Sequence, residues 1–161
     1  MSEYEVKAAY LFNFGKFVRF ASAAAASNSR NFDLCILGED PFGQSLDDLT
    51  ANEQLDDKPV RILRLKKAEE ARGCAIAYIS SSEGNRVAAD VSALRGQAVL
   101  TVSDAADFLQ HGGMIQLLVV DSHVRFAVNL GAVRSAQLGL SSELLRVAIS
   151  VNGELPAGVR P

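Results

Sequence analysis

Between residues 32 and 110 the sequence alternates short apolar runs with amphipathic segments, and this alternation limits the possible folds more than any other feature. The apolar runs cover residues 32–38, 60–65, 74–80 and 98–102. Strands that alternate with helices are joined by right-handed crossovers and lie parallel in one sheet. Runs that are apolar throughout are typical of strands covered on both faces. The sequence therefore predicts an α/β fold, a single domain with a largely parallel central sheet and helices on both faces.

The helices between these strands are predicted from their boundary residues. Asp40-Pro41 is expected to open the first of them, because proline suits the first helical position. A short polar helix is expected over residues 66–72, and a longer one over residues 83–94. Ser103 or Asp104 can cap a further helix that follows the fourth strand.

The N-terminal segment predicts one more helix. Residues 3–20 carry apolar side chains at helical spacing, which indicates an amphipathic helix that covers the sheet. Lys7, Lys16 and Arg19 are expected on its polar face. Residues 21–31 are small and polar, a composition typical of a loop.

The last third of the chain departs from the alternation. Residues 114–120 and 124–130 predict two strands joined by Asp121-Ser122-His123, and this spacing indicates a C-terminal antiparallel hairpin. Ser141 can cap a last helix over residues 142–151. The domain is therefore expected to span residues 1–151, and residues 152–161 are expected to form a flexible tail.

Composition narrows the classes of function. The 161 residues carry a net charge of −3, which argues against a nucleic-acid partner because nucleic acids select basic surfaces. No apolar run is long enough to span a bilayer. The acidic start, Met-Ser-Glu-Tyr-Glu, does not resemble a signal peptide. A chain whose leader had been removed would begin in the same way, so this start does not settle localisation.

The sequence holds no recognisable catalytic constellation. The loop over residues 38–43 lacks the glycine patterns that cradle phosphates. The third strand ends without the aspartate that a phosphoacceptor receiver domain needs. His111 and His123 lie at turns, and no His/Cys pair has metal-ligand spacing. We therefore expect no enzyme activity, no metal and no cofactor, with an enzyme whose site is unrecognised as the alternative.

Two pairs of residues leave alternatives open. Arg125 and Asn129 share one face of a predicted strand, so they are either plainly solvent-exposed or part of a ligand or partner site. Cys35 and Cys74 lie in predicted strands and are too far apart for a redox motif. They are either two buried thiols or the ends of a disulfide, and composition does not choose between these.

Four segments stand in an order and spacing similar to those of one family. The first two are EVKAAYLFNF (residues 5–14) and FDLCILG with DPFG (residues 32–38 and 40–43). The third is LTVSD (residues 100–104) with Phe108 and GGMI (residues 112–115). The fourth is VRFAVNL (residues 124–130), followed by Leu138 to Leu145. Together they resemble the YfiR-like family of periplasmic regulators.

This resemblance implies an exported protein that represses a membrane-bound diguanylate cyclase by engaging its periplasmic portion, and so lowers cyclic-di-GMP signalling. It also implies a homodimer, and an outer-membrane lipoprotein that can sequester the repressor. It further implies that Cys35 and Cys74 are bonded to each other, as the oxidising periplasm allows. Some members carry a second cysteine pair around the Gly-Gly-Met segment, but here Leu109 and Gln116 flank that region, so a second bridge is absent.

Repression by binding needs a contact surface rather than a catalytic group. The candidates flank the Gly112-Gly113 turn and the last helix, with arginines as a polar rim: Met114, Ile115, Leu140, Leu144, Leu145, Arg134 and Arg146. The alternative is that the apolar members fill the core or a homodimer seam. The rival function is a small-ligand sensor that uses the strand-to-helix loops.

Overall fold

The computed structural model describes residues 2–20 and 30–151. Its α-helices are α1 (Glu3–Phe17), α2 (Gln44–Thr50), α3 (Val87–Ala93), α4 (Leu130–Ser135) and α5 (Ser142–Val147). Its strands are β1 (Val18–Phe20), β2 (Phe32–Leu37), β3 (Gln54–Leu55), β4 (Lys58–Leu65), β5 (Ile76–Ile79), β6 (Leu100–Ser103), β7 (Ile115–Val120), β8 (His123–Val128), β9 (Leu138–Leu140) and β10 (Ser150–Val151). Most of the predicted loop at 21–31, and all of the predicted tail, lie outside the described residues.

Eight of these strands form one sheet in the order β10-β8-β7-β6-β5-β2-β4-β3. Within it, β4, β2, β5, β6 and β7 are parallel to one another. Their order is that of the doubly wound, flavodoxin-like sheets. The mixed α/β domain expected from the alternation is therefore confirmed. The parallel part has one strand more than predicted, because β7 of the hairpin runs parallel to β6.

The predicted C-terminal hairpin is confirmed in part. β7 and β8 pair antiparallel, with Val120 opposite His123. Asp121 and Ser122 have φ values of 49° and 66°, the left-handed geometry of a two-residue hairpin turn. The hairpin does not end the sheet, however, because β10 adds to β8 in parallel. The last helix is accordingly shorter than predicted, since residues 150 and 151 belong to β10.

Both faces of the sheet are covered. Leu34 and Ile36 of β2 belong to the core cluster that contains the buried side chains of α1 and α2. Cys35 and Leu37 point the other way, into clusters that include residues of α3 and of a short 3-10 helix, Ala68–Ala71. All of β2 is buried, as expected for a central parallel strand.

The first helix is shorter than predicted, and its polar face is different. A capping box begins it, in which Ser2 Oγ accepts a hydrogen bond from Glu5 N at 3.2 Å. It ends at Phe17, because residues 18–20 form β1 and pair with β9. Lys7, which was expected on the exposed face, is buried at 3 % exposure.

The helix predicted to open at Asp40-Pro41 begins at Gln44 instead. Asp40 Oδ1 accepts from Phe42 N at 2.7 Å, and Asp40 Oδ2 pairs with Arg64 at 2.8 Å. The side chain of Asp40 therefore stabilises a turn, which competes with a helix start at that point.

The helix predicted to follow Ser103 or Asp104 is absent from the described part of the chain. Ser103 Oγ accepts from Ala105 N at 2.9 Å, and Asp104 is held by Lys7. The backbone then passes through turns, with Asp107 at a φ of 61°. Local side-chain hydrogen bonds and this left-handed residue replace the helical ladder.

Two further helices differ from their predictions. The segment at residues 66–72 forms only the 3-10 helix Ala68–Ala71. The helix predicted over residues 83–94 is split into a 3-10 helix, Ser81–Arg86, and α3. The kink lies at Gly84, whose φ of 56° and ψ of −122° glycine tolerates far better than other residues.

Candidate functional site

Three of the residues predicted to contact a partner are buried. Met114, Ile115 and Leu144 are 6, 0 and 4 % exposed and belong to the main core cluster. Ile115 begins β7, and Leu144 anchors α5 on the core. These three predictions are corrected, because the side chains fill the core, as the alternative allowed.

The other four predicted contact residues reach the surface. Leu140 and Leu145 are half-buried, whereas Arg134 and Arg146 are exposed. Leu140 lies at the end of β9, opposite Val18 of β1. These residues therefore remain candidates for a partner contact.

The segment between β9 and α5 is held by Ser141. Its N–H donates to the carbonyl oxygen of Phe17 at 3.0 Å. Its Oγ accepts from Glu143 N at 3.1 Å, so the predicted N-cap of the last helix is confirmed. These two bonds fix the start of α5 against the end of α1.

Val147 is the surface residue that the sequence did not reveal. It is the last residue of α5 and is 63 % exposed, the largest value among the exposed large apolar residues of the described ranges. The sequence predicts a helix that continues to residue 151, in which Val147 would lie in the middle and not at the end. We give the name C-terminal face to the surface-reaching residues of α4, β9 and α5: Arg134, Leu140, Leu145, Arg146 and Val147.

Arg125 and Asn129 do not form one polar row. Arg125 is exposed on β8. Asn129 lies beyond the end of β8, where its Oδ1 accepts from Ala132 N at 3.1 Å as the N-cap of α4. Because the amide oxygen of Asn129 serves as a cap, the two residues do not share a strand face as predicted.

The two cysteines are joined by a disulfide, as the resemblance implies. Cys35 lies in β2, and Cys74 lies just before its neighbour β5, with 6.2 Å between their Cα atoms. Both residues are buried. The bridge ties together the two strands at the centre of the sheet, and such bridges persist in oxidising compartments.

The usual ligand crevice of this fold is filled on the α1 side. In such sheets ligands bind at the carboxyl ends of the strands, where the strand order reverses between β2 and β5. Tyr78 of β5 contacts Phe42 edge to face at 4.8 Å, and Phe42 contacts Tyr4 of α1 at 5.9 Å between ring centroids. Phe42 and Tyr78 are 4 and 0 % exposed. The strand-to-helix loops are therefore not an open ligand site on this side.

Beside these rings lies a buried ion pair between α1 and the end of β6. Lys7 Nζ lies 2.9 Å from Asp104 Oδ2, and the Tyr4 hydroxyl donates to the same oxygen at 2.7 Å. Lys7 Nζ also lies 2.6 Å from Glu3 Oε2. Burial alone would raise the pKa of Asp104, but the hydrogen bonds from Lys7 and Tyr4 outweigh it and hold that pKa below its ordinary value.

A second cluster lies where the 3-10 helix Ser81–Arg86 meets α3. Glu83 is buried, and its Oε2 lies 3.0 Å from Arg86 Nη2. The carboxyl group of Asp90 faces that of Glu83. Burial and the hydrogen bond with Glu83 raise the pKa of Asp90 from 3.8 to about 7. Asp90 therefore keeps its proton up to near-neutral pH, whereas hydrogen bonds from Asp90 and Arg86 outweigh burial and lower the pKa of Glu83.

This raised pKa predicts how stability depends on pH. A carboxyl group that holds its proton more tightly when folded contributes stability below its ordinary pKa, and that contribution is lost as the pH rises towards about 7. Asp90→Asn removes the titration. We expect its free energy of unfolding to change less than that of the parent between pH 4 and 8, and to exceed the parent's at pH 8. Urea unfolding across this range measures both.

The control for this prediction is Asp48→Asn, which makes the same change of charge at an exposed position of α2. It should keep the parent's pH dependence. Equal pH profiles for the parent and Asp90→Asn would show that Asp90 ionises at its ordinary pKa.

The described residues include few side chains that are placed for catalysis or metal binding. Across residues 2–20 and 30–151, no group of three or more His, Cys, Asp or Glu residues is placed to hold a metal ion. His111 and His123 are both exposed. Within the same ranges, no helix has the length and hydropathy needed to cross a bilayer.

The fold and the surface define a class of protein: a mixed α/β domain with a disulfide-bridged, flavodoxin-like sheet and an exposed valine at the end of α5. The YfiR/HmsC-like family model matches residues 4–149. The chain belongs to this family, as the resemblance predicted. The family is one of periplasmic regulators that work with membrane diguanylate cyclases. No curated protein matches the chain.

Proposed function

We propose that the chain represses a membrane-bound diguanylate cyclase by binding its periplasmic portion and holding it inactive. The observation that carries this proposal is the family match over residues 4–149. The Cys35–Cys74 disulfide supports a periplasmic location, because such bridges persist where thiols are oxidised. Repression requires only that the chain bind the inactive state of the cyclase more tightly than the active state.

The C-terminal face is the contact surface in this proposal. Val147 holds a large apolar side chain in water, and burying it against a partner is favourable. Arg134 and Arg146 form no ion pair with any residue in the described ranges. An exposed valine that directly follows one of these arginines in α5 favours a partner surface that is apolar at its centre and acidic at its edge.

The other partners implied by the resemblance fit the same proposal. An outer-membrane lipoprotein that binds the free repressor would relieve repression by competing with the cyclase. A homodimer is expected as well, and its seam is separate from the C-terminal face in this proposal. A Val147→Asp chain should therefore keep the association state of the parent in analytical ultracentrifugation.

Val147→Asp tests the contact surface. A carboxylate buried at the centre of an interface is costly, so we expect binding to the cyclase's periplasmic portion to weaken by about tenfold or more. The substitution lies at an exposed position, so the free energy of unfolding should change by less than about 0.5 kcal/mol. Binding is measured by titrating the purified periplasmic portion of the cyclase, and folding is checked by circular dichroism.

Val119→Asp is the matched control, because Val119 is an exposed valine on the hairpin, at 50 % exposure. It should bind as the parent does. Normal binding by a folded Val147→Asp chain would exclude the C-terminal face. Loss of binding only in Val119→Asp would move the contact to the hairpin.

A small-ligand sensor remains the second candidate function. The observation that favours it is a cleft of about 310 Å³ between α3 and α4, a size at the lower end of ligand sites. A ligand-dependent rise in melting temperature, without any cyclase binding by the parent chain, would favour this function over repression.

A further inference from the structure

The cleft between α3 and α4 lies away from the filled crevice at the carboxyl ends of the strands. Its volume is about 310 Å³. The apolar side chains of its wall come from α3, from the start of the hairpin and from α4: Val91, Leu94, Met114, Ala132 and Ala136. Since a cavity of about 150 Å³ is enough for benzene, this cleft has room for a ligand of roughly twice that size.

One charged group borders the cleft. Arg95 follows α3 and is the sole ionisable residue among the described residues that line the cleft. It is exposed and forms no ion pair with a residue of the described ranges. A Cβ atom placed on Gly112 would lie 3.6 Å from Arg95 Nη2 and 3.5 Å from Val91 Cγ1. The guanidinium group therefore lies against the apolar wall rather than away from it.

A hydroxyl group lies at the floor of the cleft. Thr101 of β6 is 3 % exposed, and its Oγ1 accepts a hydrogen bond from Met114 N at 3.1 Å. The described residues offer its O–H no acceptor. The cleft thus combines apolar walls, a free guanidinium group and an inward hydroxyl donor. Sites for small ligands have this composition.

We propose that the α3–α4 cleft binds a small amphipathic carboxylate. Its apolar body lies among Val91, Leu94 and Met114, and its carboxylate pairs with Arg95. Of the described residues in the lining, none is an acidic residue that would repel such a ligand. Arginine favours carboxylates because two of its N–H groups can bond both oxygens. This inference does not depend on a cyclase as the partner.

Octanoate is the probe, and 1-octanol is its neutral analogue. We expect octanoate to raise the melting temperature of the full chain and to shift the NMR signals of the Val91 and Leu94 methyl groups at one-to-one saturation. Arg95→Gln should weaken octanoate binding by about tenfold and leave octanol binding nearly unchanged, because only the charged pair is removed. Arg125→Gln, an arginine outside the cleft, should bind octanoate as the parent does.

Ala132→Leu provides a second test, because it fills the cleft from the half-buried side of α4 and should weaken both probes. The proposal is overturned if the parent chain shows no saturable octanoate binding. It is also overturned if Arg95→Gln binds octanoate as tightly as the parent, or if the shifted signals scatter over the surface as in non-specific detergent binding. A loss in Arg125→Gln alone would place the ligand on β8 and equally overturn it.

Discussion

Opening the Cys35–Cys74 disulfide is expected to lower the free energy of unfolding by about 4 kcal/mol. The bridge joins residues 39 positions apart. In the chain-entropy model, a bridge over such a loop lowers the conformational entropy of the unfolded chain, which stabilises the folded state by about 4 kcal/mol. The free energy of unfolding of a folded domain is only about 5–15 kcal/mol in total, so the reduced chain should be near the limit of folding at 37 °C.

The measurement is urea unfolding of the oxidised chain and of a chain reduced while unfolded and then refolded with reductant. Reduction in the unfolded state is needed because both cysteines are buried. A Cys35→Ala/Cys74→Ala chain is the control, and reductant should not change its unfolding midpoint. Equal midpoints for the oxidised and reduced parent chains would show that the bridge contributes nothing to stability.

Lys7→Met is expected to lower the free energy of unfolding by about 3 kcal/mol at pH 7. Removing one partner of a buried ion pair leaves the other as an uncompensated buried charge, which costs about 3–5 kcal/mol. Here the charge left behind is Asp104, with a side chain 7 % exposed and one remaining hydrogen bond from Tyr4. We expect the lower end of this range because Glu3, the other carboxylate paired with Lys7, is 48 % exposed and is therefore not left as a buried charge.

A double variant separates the ion pair from packing. Lys7→Met/Asp104→Asn removes both charges and should recover at least half of the loss, whereas independent sites would add their losses. Lys16→Met is the matched control on the exposed side of α1, and it should change stability by less than about 1 kcal/mol. A Lys7→Met chain as stable as the parent would show that α1 does not depend on this pair.

The pH dependence has a definite sign. The pKa of Asp104 is lowered in the folded chain, so its contribution is present above the ordinary value of 3.8 and is lost as the pH falls through the lowered value. The deficit of Lys7→Met should therefore shrink in acid, because Asp104 is then protonated and needs no cation. If the stability difference between Lys7→Met and the parent stays constant from pH 7 to pH 3, the loss comes from packing and not from the ion pair.

The sheet was predictable from the sequence because its signals are local. Each central strand is a short apolar run, and the rules for crossovers then place consecutive strands in a parallel sheet. The hairpin was visible for the same reason, since its turn and both strands lie within seventeen residues, 114–130. Helix boundaries were less predictable. Asp40 and Ser103 resemble caps, but their oxygens bond within turns.

The candidate site was less predictable because it depends on distant residues. Lys7 and Asp104 are 97 positions apart, and hydropathy assigns a lysine in an amphipathic helix to the exposed face. In the last helix, Leu144 and Val147 are both apolar, yet one is buried and the other is exposed. The helix ends at Val147, and two residues that a helix to residue 151 would include pair with β8 instead, which is not a local signal. The disulfide became predictable only through the family resemblance.

The most direct test of repression is the cyclic-di-GMP concentration in cells of the native bacterium that lack the gene for this chain. We predict that deletion raises this concentration and that an exported copy of the chain restores it. The same chain retained in the cytoplasm should not restore it, because the proposed contact lies in the periplasm. An exported Val147→Asp chain, produced at the same level, should also fail. An unchanged cyclic-di-GMP concentration after deletion, or full restoration by the retained chain, would contradict repression from the periplasm.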